Sequence, residues 1–399
     1  MTHPLVATAR DLAPIFASRA AHWDRTRSYC WSNVADLSEA GLMGMSIPRA
    51  YGGQGASFLD VAMVVEELAR ACTLTARVVV EANMGGISAV MAYGTTEQKA
   101  FCAPFVLAGD KPAICITEPE AGSAATQMRT TAQKRGDTYV LNGTKHWITG
   151  GGVSKLHLIF AQVLNEAGEP QGIGGFIVLA DPSAPPAGFE VVGREHTMGL
   201  CGMPEATLRF TDLEVHEKWL LTPPSGLKRG FADLMTAYNS QRVGAGTIAL
   251  GVAAGALDHA KRYLLEREQF GRPIAEFQGL QWMVADMDTQ VHAARLMLHD
   301  AARCDGAFPD MTKAARAKLF ASEMGIKVVN DALQMFGARG YSDQEPLERM
   351  YRDVRMFTIG GGTAQILRTQ IAGSALGIKV PQTRDGYAPV PVTQPIAAE

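Results

Sequence analysis

The amino-acid sequence predicts an α+β protein with an N-terminal helical domain, a middle β-barrel domain and a C-terminal four-helix bundle. Three observations support this prediction. Apolar residues have helical spacing up to about residue 112, fall in short runs between turn residues as far as 223, and regain helical spacing to 380. A chain of 399 residues is too long for one simple core. We therefore expect domains over 1–112, 113–223 and 224–380, followed by a tail over 381–399.

The first region contains recognisable helix boundaries. Helices are predicted over 34–42 and 58–72, and a third is predicted to begin at Thr95. Gly41 lies where a left-handed C-terminal residue is favoured. Thr95 and Gln98 have the spacing of a capping box, in which each side chain bonds the backbone N–H of the other residue.

The second region is predicted to form short strands. Two strands are expected to fold over a turn at Arg135-Gly136-Asp137. Further strands are predicted over 113–116, 156–163, 172–180 and 206–215. Several short strands separated by Pro and Gly are typical of a barrel or a sandwich.

The third region is predicted to form four long amphipathic helices, which is typical of a four-helix bundle. Their predicted ranges are 231–268, 280–304, 312–336 and 347–376. Gly251 and Gly255 are small enough for a close contact between helices. The tail contains Pro389, Pro391 and Pro395 and is expected to be flexible.

Composition and charge exclude several classes of protein. Lys and Arg number 37 and Asp and Glu number 40, so the net charge of −3 offers no basic excess for nucleic acid or an anionic membrane. We see no signal-peptide core and no stretch approaching the ~20 apolar residues of a membrane span. The six cysteines and nine histidines show no metal-binding spacing. We therefore expect a reduced cytoplasmic protein without a metal site.

Two motifs in the second region have ligand-binding chemistry. The first, Ile116 to Ser123, leaves a strand and enters a loop whose backbone N–H groups and hydroxyls can hold polar ligand edges. In the second, Lys145 to Gly152, Trp147 offers an aromatic wall and Thr149 a hydroxyl. The alternatives are a plain turn and a core tryptophan.

Three further motifs lie in the third region. Arg267, in the stretch up to Pro273, could bind phosphate at a helix end, although a solvated helix end is equally compatible with the pattern. The stretch 331–340 precedes a last motif, 357–366, that contains Gly360-Gly361-Gly362. Each glycine inside a helix costs about 1 kcal/mol. A ligand close to the backbone would explain that cost, and so would an inter-helix turn.

Taken together and in this order, the five motifs resemble the acyl-CoA dehydrogenase family over about residues 1–380. The resemblance implies non-covalent FAD, a small acyl-CoA substrate and a homo-oligomer, usually a tetramer. The residues that it predicts to contact FAD are Ile116, Thr117, Ser123, Trp147, Ile148, Thr149, Arg267, Phe270, Gln278, Gln334, Gly337, Thr363 and Gln365. Those from Arg267 to Gly337 are expected to reach the FAD of a neighbouring subunit.

The glutamate that serves as catalytic base in this family is absent at both of the family's positions. Dehydrogenation requires a base within reach of the α-proton. Gly361 occupies one of the two positions and Gln241 occupies the other. A glutamine amide is not a strong base at neutral pH. Three glutamates remain as alternative bases, namely Glu81, Glu118 and Glu120.

Arg77 interrupts an apolar stretch and indicates a different chemistry. A buried charge is costly unless it is paired. One interpretation is a pair with Glu66, Glu67 or Glu81. The other is a guanidinium that holds an anionic acyl end, because its planar fork matches the two oxygens of a carboxylate or sulfinate.

Within the family, the chain resembles the 3-sulfinopropionyl-CoA desulfinases. The matching stretches are 107–116, 150–157, 238–246, 278–287 and 381–387. These enzymes also lack the glutamate, and they use an arginine at the position of Arg77 for the sulfinate. The resemblance implies that 3-sulfinopropionyl-CoA and water yield propionyl-CoA and sulfite without net electron transfer.

The resemblance also assigns roles to individual residues. Arg77, Gln241 and Gly361 are the predicted catalytic residues, and Ser123 and Arg242 are further substrate contacts. The Gly361 N–H and a ribityl hydroxyl of FAD are expected to bind the thioester oxygen, as in an oxyanion hole.

One loop departs from the sequence pattern of the family. Two functions other than desulfination also stay open. Cys201 and Met203 lie in a loop where an arginine was expected after Leu200. The first alternative is a short-chain acyl-CoA dehydrogenase with a relocated base, which would pass electrons to an electron-transfer flavoprotein. The second is a non-catalytic flavoprotein that binds acyl-CoA.

Overall fold

The computed structural model describes residues 4–378 and 380. Its N-terminal part is helical, as predicted, and the predicted capping box of Thr95 and Gln98 is confirmed. Gly41 adopts the expected positive φ of 69° just beyond the second helix. The helices are α1 (Pro4–Thr26), α2 (Trp31–Glu39), α3 (Phe58–Ala71), α4 (Thr73–Met84), α5 (Gly86–Tyr93) and α6 (Thr96–Leu107).

Helix α4 crosses the interior of the molecule. All twelve of its residues are buried, including Arg77 and Glu81. It packs closely on helix α7 (Leu227–Glu266), where a Cβ on Gly244 would lie 2.5 Å from Val80. The two charged side chains of α4 therefore lie between the helical domains, away from solvent.

The middle part forms one eight-stranded mixed sheet. Its strand order is β6-β7-β3-β2-β4-β5-β8, with β1 paired to β4 off this path. Strands β1 and β2 run parallel to β4, and the other pairs are antiparallel. The path has two ends, so within the described residues hydrogen bonds do not close the barrel. The strands are β1 (Ala113–Cys115), β2 (Thr131–Arg135), β3 (Thr138–Thr149), β4 (Leu156–Leu164), β5 (Pro170–Leu179), β6 (Phe189–Arg194), β7 (Glu205–His216) and β8 (Leu220–Leu221).

The C-terminal part is a helical bundle in which two shorter helices take the place of the predicted fourth helix. The prediction of one helix over 347–376 is wrong, because a 3₁₀ turn and the Gly360–Gly362 segment interrupt it. Gly361 and Gly362 adopt φ values of 74° and 95°, which a right-handed helix excludes. After α7 the elements are β9 (Glu268–Gln269), β10 (Arg272–Pro273), α8 (Gln278–Ala302), α9 (Met311–Met335), α10 (Pro346–Val354) and α11 (Ala364–Leu376).

Helix α7 is the central rod of the bundle. Contrary to the sequence-based expectation, it is long and apolar enough to cross a membrane by length and composition alone, but 89% of its apolar window is buried inside the protein. The predicted close contact at Gly251 is present, since a Cβ there would lie 2.5 Å from the Cβ of Ala69. The predicted tail over 381–399, with the matching stretch 381–387, lies outside the described residues.

Candidate active site

Trp147 lies at an irregularity of strand β3 and presents its indole outward. The pairing of β3 with β7 shifts register between Lys145 and Ile148. Trp147 has a positive φ of 59°, and its side chain is 51% exposed, stacked on His146 with ring centroids 5.1 Å apart. A bulky residue in this conformation is strained, and such strain is concentrated at functional sites.

A buried ion pair holds the Ile116–Thr117 segment beside this strand. Lys145 donates to the Ile116 carbonyl at 3.0 Å and to the Glu118 carboxylate at 2.7 Å. The His146 N–H donates to the Thr117 carbonyl at 2.9 Å. Ile116 and Thr117 therefore lie beside the strand that contains Trp147, Ile148 and Thr149, and the contact of these five residues with FAD stays a prediction.

The remaining residues of the first motif differ in their surroundings. Glu118 also accepts hydrogen bonds from the backbone N–H groups of Arg129 and Thr130, so its carboxylate stabilises the loop. Glu120 and Ser123 are exposed on the same loop. Within the described residues, neither side chain contacts the buried residues described next.

A polar cluster lies behind Thr149, where the sheet meets α4. The Thr149 hydroxyl is 3.0 and 2.9 Å from the two oxygens of Glu205. Arg77 Nη2 lies 3.5 Å from that hydroxyl, and Lys111 Nζ lies 3.4 Å from the Thr149 carbonyl. Burial raises the pKa of Glu205 to about 7, against the opposing field of Arg77. The sequence analysis had identified neither Lys111 nor Glu205.

Arg77 and Gln241 meet on one carboxylate. Arg77 Nη2 lies 2.8 Å from Glu81 Oε1, and Gln241 Nε2 donates to the same oxygen at 2.8 Å. Of the three glutamates considered as partners for Arg77, it is therefore Glu81 that pairs with it. Glu66 binds Arg70 and Arg295 instead.

Two cations hold the glycine segment by its carbonyl oxygens. Arg242 Nε donates to the Gly361 carbonyl at 3.3 Å, and Lys318 Nζ donates to the Gly362 carbonyl at 2.7 Å. Burial, with Arg242 and Arg77 nearby, lowers the pKa of the fully buried Lys318 to about 7. Within the described residues, the Gly361 N–H has no hydrogen-bond partner.

The space in front of Gly361 is open. A Cβ on Gly361 would meet only the Lys318 Cε, at 3.9 Å. Around this space and the polar cluster stand four cationic side chains, Arg77, Lys111, Arg242 and Lys318, against the carboxyl groups of Glu81 and Glu205. The arrangement has a surplus of positive charge, which suits an anionic ligand.

A separate group of predicted FAD contacts lies at the far end of the bundle. Its members share exposed positions between the end of α7 and the start of α8, and around the end of α9, and Phe270 is 92% exposed. They are Arg267, Phe270, Gln278, Gln334 and Gly337. Thr363 and Gln365 lie at the start of α11, where the Thr363 hydroxyl accepts a hydrogen bond from the Ile366 N–H. In the described part of the chain, no side-chain contact joins these residues to Thr149 or Trp147.

The residues present are compatible with FAD. An exposed indole offers a surface for stacking a flavin ring, and the neighbouring hydroxyls and backbone groups offer polar contacts. Arg267 offers a guanidinium for phosphate, and a Cβ on Gly122, Gly271 or Gly337 would meet no atom within 4 Å. Across residues 4–378 and 380, we find no group of three His, Cys, Asp or Glu side chains that could hold a metal ion.

Comparison with known proteins gives relatives along almost the whole chain. It is 60% identical over 387 residues to 3-sulfinopropanoyl-CoA desulfinase of Variovorax paradoxus, covering 97% of each chain. It is 59% identical to the protein of that name from Cupriavidus necator, covering 96% of each. Among solved structures, butyryl-CoA dehydrogenase from Megasphaera elsdenii is 30% identical, with a TM-score of 0.86 over 94% of this chain and 99% of that one.

The family profiles agree with this likeness. The N-terminal domain of acyl-CoA dehydrogenase matches residues 4–110, the middle domain matches 113–213 and the C-terminal domain matches 228–376. This chain belongs to the acyl-CoA dehydrogenase family.

Proposed function

We propose that this protein releases sulfite from 3-sulfinopropionyl-CoA and forms propionyl-CoA. The Cβ–S bond breaks, its electron pair stays on carbon, and that carbon takes up a proton. The sulfur takes up hydroxide, so one water is consumed and no net oxidation occurs. The named desulfinases at 56–60% identity support this reaction.

The observation that carries the proposal is the surplus of buried cations at a site without the family's base. Gln241 and Gly361 stand at the two positions of the base, and neither side chain can remove a proton at neutral pH. Two arginines and two lysines meet two carboxyl groups. Below about pH 7 the raised pKa of Glu205 favours its neutral form, and the lowered pKa of Lys318, also about 7, still leaves that lysine charged. Such a site favours an acyl group with a negative end over a simple alkyl chain.

Arg77 is the proposed partner of the sulfinate. Its guanidinium points between α4 and Thr149, and its Nη2 already contacts Glu81. Its Nε is buried and has no hydrogen-bond partner among the described residues. A buried donor without a partner is costly, so a ligand oxygen that accepts from it would recover that cost.

The glycine segment is the proposed binding site of the thioester oxygen. Arg242 and Lys318 hold the carbonyls of Gly361 and Gly362. Among the described residues the Gly361 N–H has no partner, so it is available to bind the thioester oxygen and to fix the acyl chain relative to Arg77. The open space in front of Gly361 accommodates the acyl group where the family's glutamate would otherwise extend.

We propose FAD as the cofactor, held by Ile116, Thr117, Ser123 and Trp147 to Thr149, with Thr363 and Gln365. When bound, it would supply a planar polar surface next to the substrate and no net electron transfer. The exposed residues from Arg267 to Gly337 support a homo-oligomer, for which we propose a tetramer in which they complete the FAD site of a neighbour. We further propose that the protein is cytoplasmic.

The test is an anaerobic incubation of the holoenzyme with 3-sulfinopropionyl-CoA, in which sulfite and flavin absorbance are followed together. We expect sulfite release while the flavin stays oxidised, and loss of that release in Arg77→Ala. Arg135→Ala removes an exposed arginine of a strand end and is the matched control. Absence of sulfite from the wild-type enzyme would refute the proposal.

One observation favours a second candidate function. Glu81 lies one hydrogen bond from Gln241, so a carboxylate stands close to one position of the family's base. An acyl-CoA dehydrogenase with this relocated base would pass electrons to an electron-transfer flavoprotein. Bleaching of the flavin by butyryl-CoA, with no sulfite formed from the sulfinate substrate, would support this function instead.

A further inference from the structure

The carboxylate of Glu81 joins the two side chains proposed for the acyl site, Arg77 and Gln241. Glu81 is 2% exposed and lies on α4, one helical turn after Arg77. Its Oε1 accepts from Arg77 Nη2 and from Gln241 Nε2, each at 2.8 Å. Gln241 belongs to α7, so one oxygen atom sets the relative position of groups on two different helices.

This contact also dictates how the Gln241 amide is turned. An ionised carboxylate only accepts hydrogen bonds, so the atom facing Glu81 must be the NH₂ group. Gln241 Oε1 then points away from Glu81, is buried, and has no partner among the described residues. An acceptor is therefore available for a bound water or for a protonated group of the ligand.

Glu81 also sets the charge that a ligand meets. It is the carboxylate in direct contact with Arg77, which lies near the further cations Lys111 and Lys318. A ligand with an anionic end approaches Arg77 against the negative charge of Glu81. The carboxylate thus weakens the binding of anions while it holds the binding groups in place.

We propose that Glu81 is a positioning residue that orients Arg77 and Gln241 for desulfination, at the expense of affinity for the anionic acyl end. The inference rests on the proposed function. Displacement of reacting groups by about 1 Å costs about 100-fold in rate. Loss of the shared carboxylate should therefore lower turnover while anion binding becomes tighter, a combination that simple damage to the fold does not produce.

The first test compares Glu81→Gln with wild-type holoenzyme and with Glu39→Gln, which removes an exposed carboxylate at the end of α2. The rate of sulfite release gives kcat and KM. Calorimetry gives the Kd of succinyl-CoA, which has a carboxylate in place of the sulfinate, and of propionyl-CoA, which has no charge there.

For Glu81→Gln we expect kcat to fall by about 100-fold and succinyl-CoA to bind about tenfold more tightly. The affinity for propionyl-CoA and the flavin content should match those of wild type and Glu39→Gln. An unchanged kcat, or equal weakening of both ligands, would overturn the inference. If wild type itself releases no sulfite, the proposed function fails first, and the two failures are distinguished.

A second variant covers the case in which Glu81→Gln does not fold. Glu81→Asp keeps the negative charge and leaves Gln241 unchanged, but it shortens the side chain by one methylene and so withdraws the carboxylate from Arg77 and Gln241. We expect a folded, flavin-containing protein whose kcat for sulfite release falls by about 100-fold, whereas wild-type turnover in this variant would overturn the inference.

Discussion

Replacement of Arg77 by methionine would alter both the stability and the proposed activity, and a second substitution can separate the two effects. The Arg77 and Glu81 side chains are 10% and 3% exposed, so solvent screens their ion pair little. Removal of one partner of a buried pair leaves an unpaired charge and costs about 3–5 kcal/mol. We expect the lower end, about 3 kcal/mol, because Gln241 still donates to Glu81.

The double variant Arg77→Met with Glu81→Gln removes both charges. Replacement of a buried ion pair by uncharged groups of similar size is often close to neutral. We therefore expect the double variant to recover most of the lost unfolding free energy but to release no sulfite. The assay is guanidinium denaturation followed by circular dichroism, with sulfite release measured on the same samples.

Two results would refute this reasoning. Wild-type stability of Arg77→Met would mean that the Arg77–Glu81 pair contributes nothing to folding. Recovery of sulfite release in the double variant would mean that the guanidinium is not needed for the substrate, and that Arg77 only neutralises Glu81. Arg135→Met, at an exposed strand end, is the control for the loss of an arginine in general.

Three further predictions concern other parts of the molecule. The pKa of Lys318 in the folded protein is lowered to about 7, so above pH 7 the unfolded chain binds more protons at this lysine than the folded protein does. The unfolding free energy of wild type minus that of Lys318→Met should therefore rise from pH 7 to 9. A difference that stays flat over this range would contradict the prediction. Gly251→Ala should lose about 1–3 kcal/mol in denaturant unfolding because its Cβ would lie 2.6 Å from the Glu66 carbonyl, whereas Gly279→Ala, with open space, should be neutral or slightly stabilised. Phe270→Ser should lower the sedimentation coefficient and the flavin content together, and an unchanged oligomer would oppose the proposed role of the exposed end of the bundle.

Much of the fold was predictable because most elements have one apolar face. The strand over 205–216 and the helix over 311–335 follow their periodicity closely, and the strand over 156–164 is a largely buried apolar run. All twelve residues of helix α4 are buried, so it has no exposed polar face. Without such a face its sequence shows no helical period that would distinguish it from a buried strand. Strand β6 shows the opposite difficulty, since five of its six residues are exposed.

The candidate site was only partly predictable. Arg77 stood out because it interrupts an apolar stretch, and Glu81 was one of three possible partners for it. Gln241 and Gly361 were identified through the family resemblance. The contact of Glu81 with Gln241 depends on how α4 packs on α7, which no local pattern encodes. Lys318 did carry a signal, because it shares the spacing of the buried Ala314, Ala317 and Ala321 on α9.

The length of helix α7 has a consequence for any assembly of this protein. Its 40 residues form one continuous rod about 60 Å long. Gln241 lies about a third of the way along it and Arg267 directly follows its end, so about 39 Å of helix separates the acyl site from the exposed far end. If subunits join at that end, the length of α7 sets the distance between their catalytic centres. Changes in loop length elsewhere will not alter that distance.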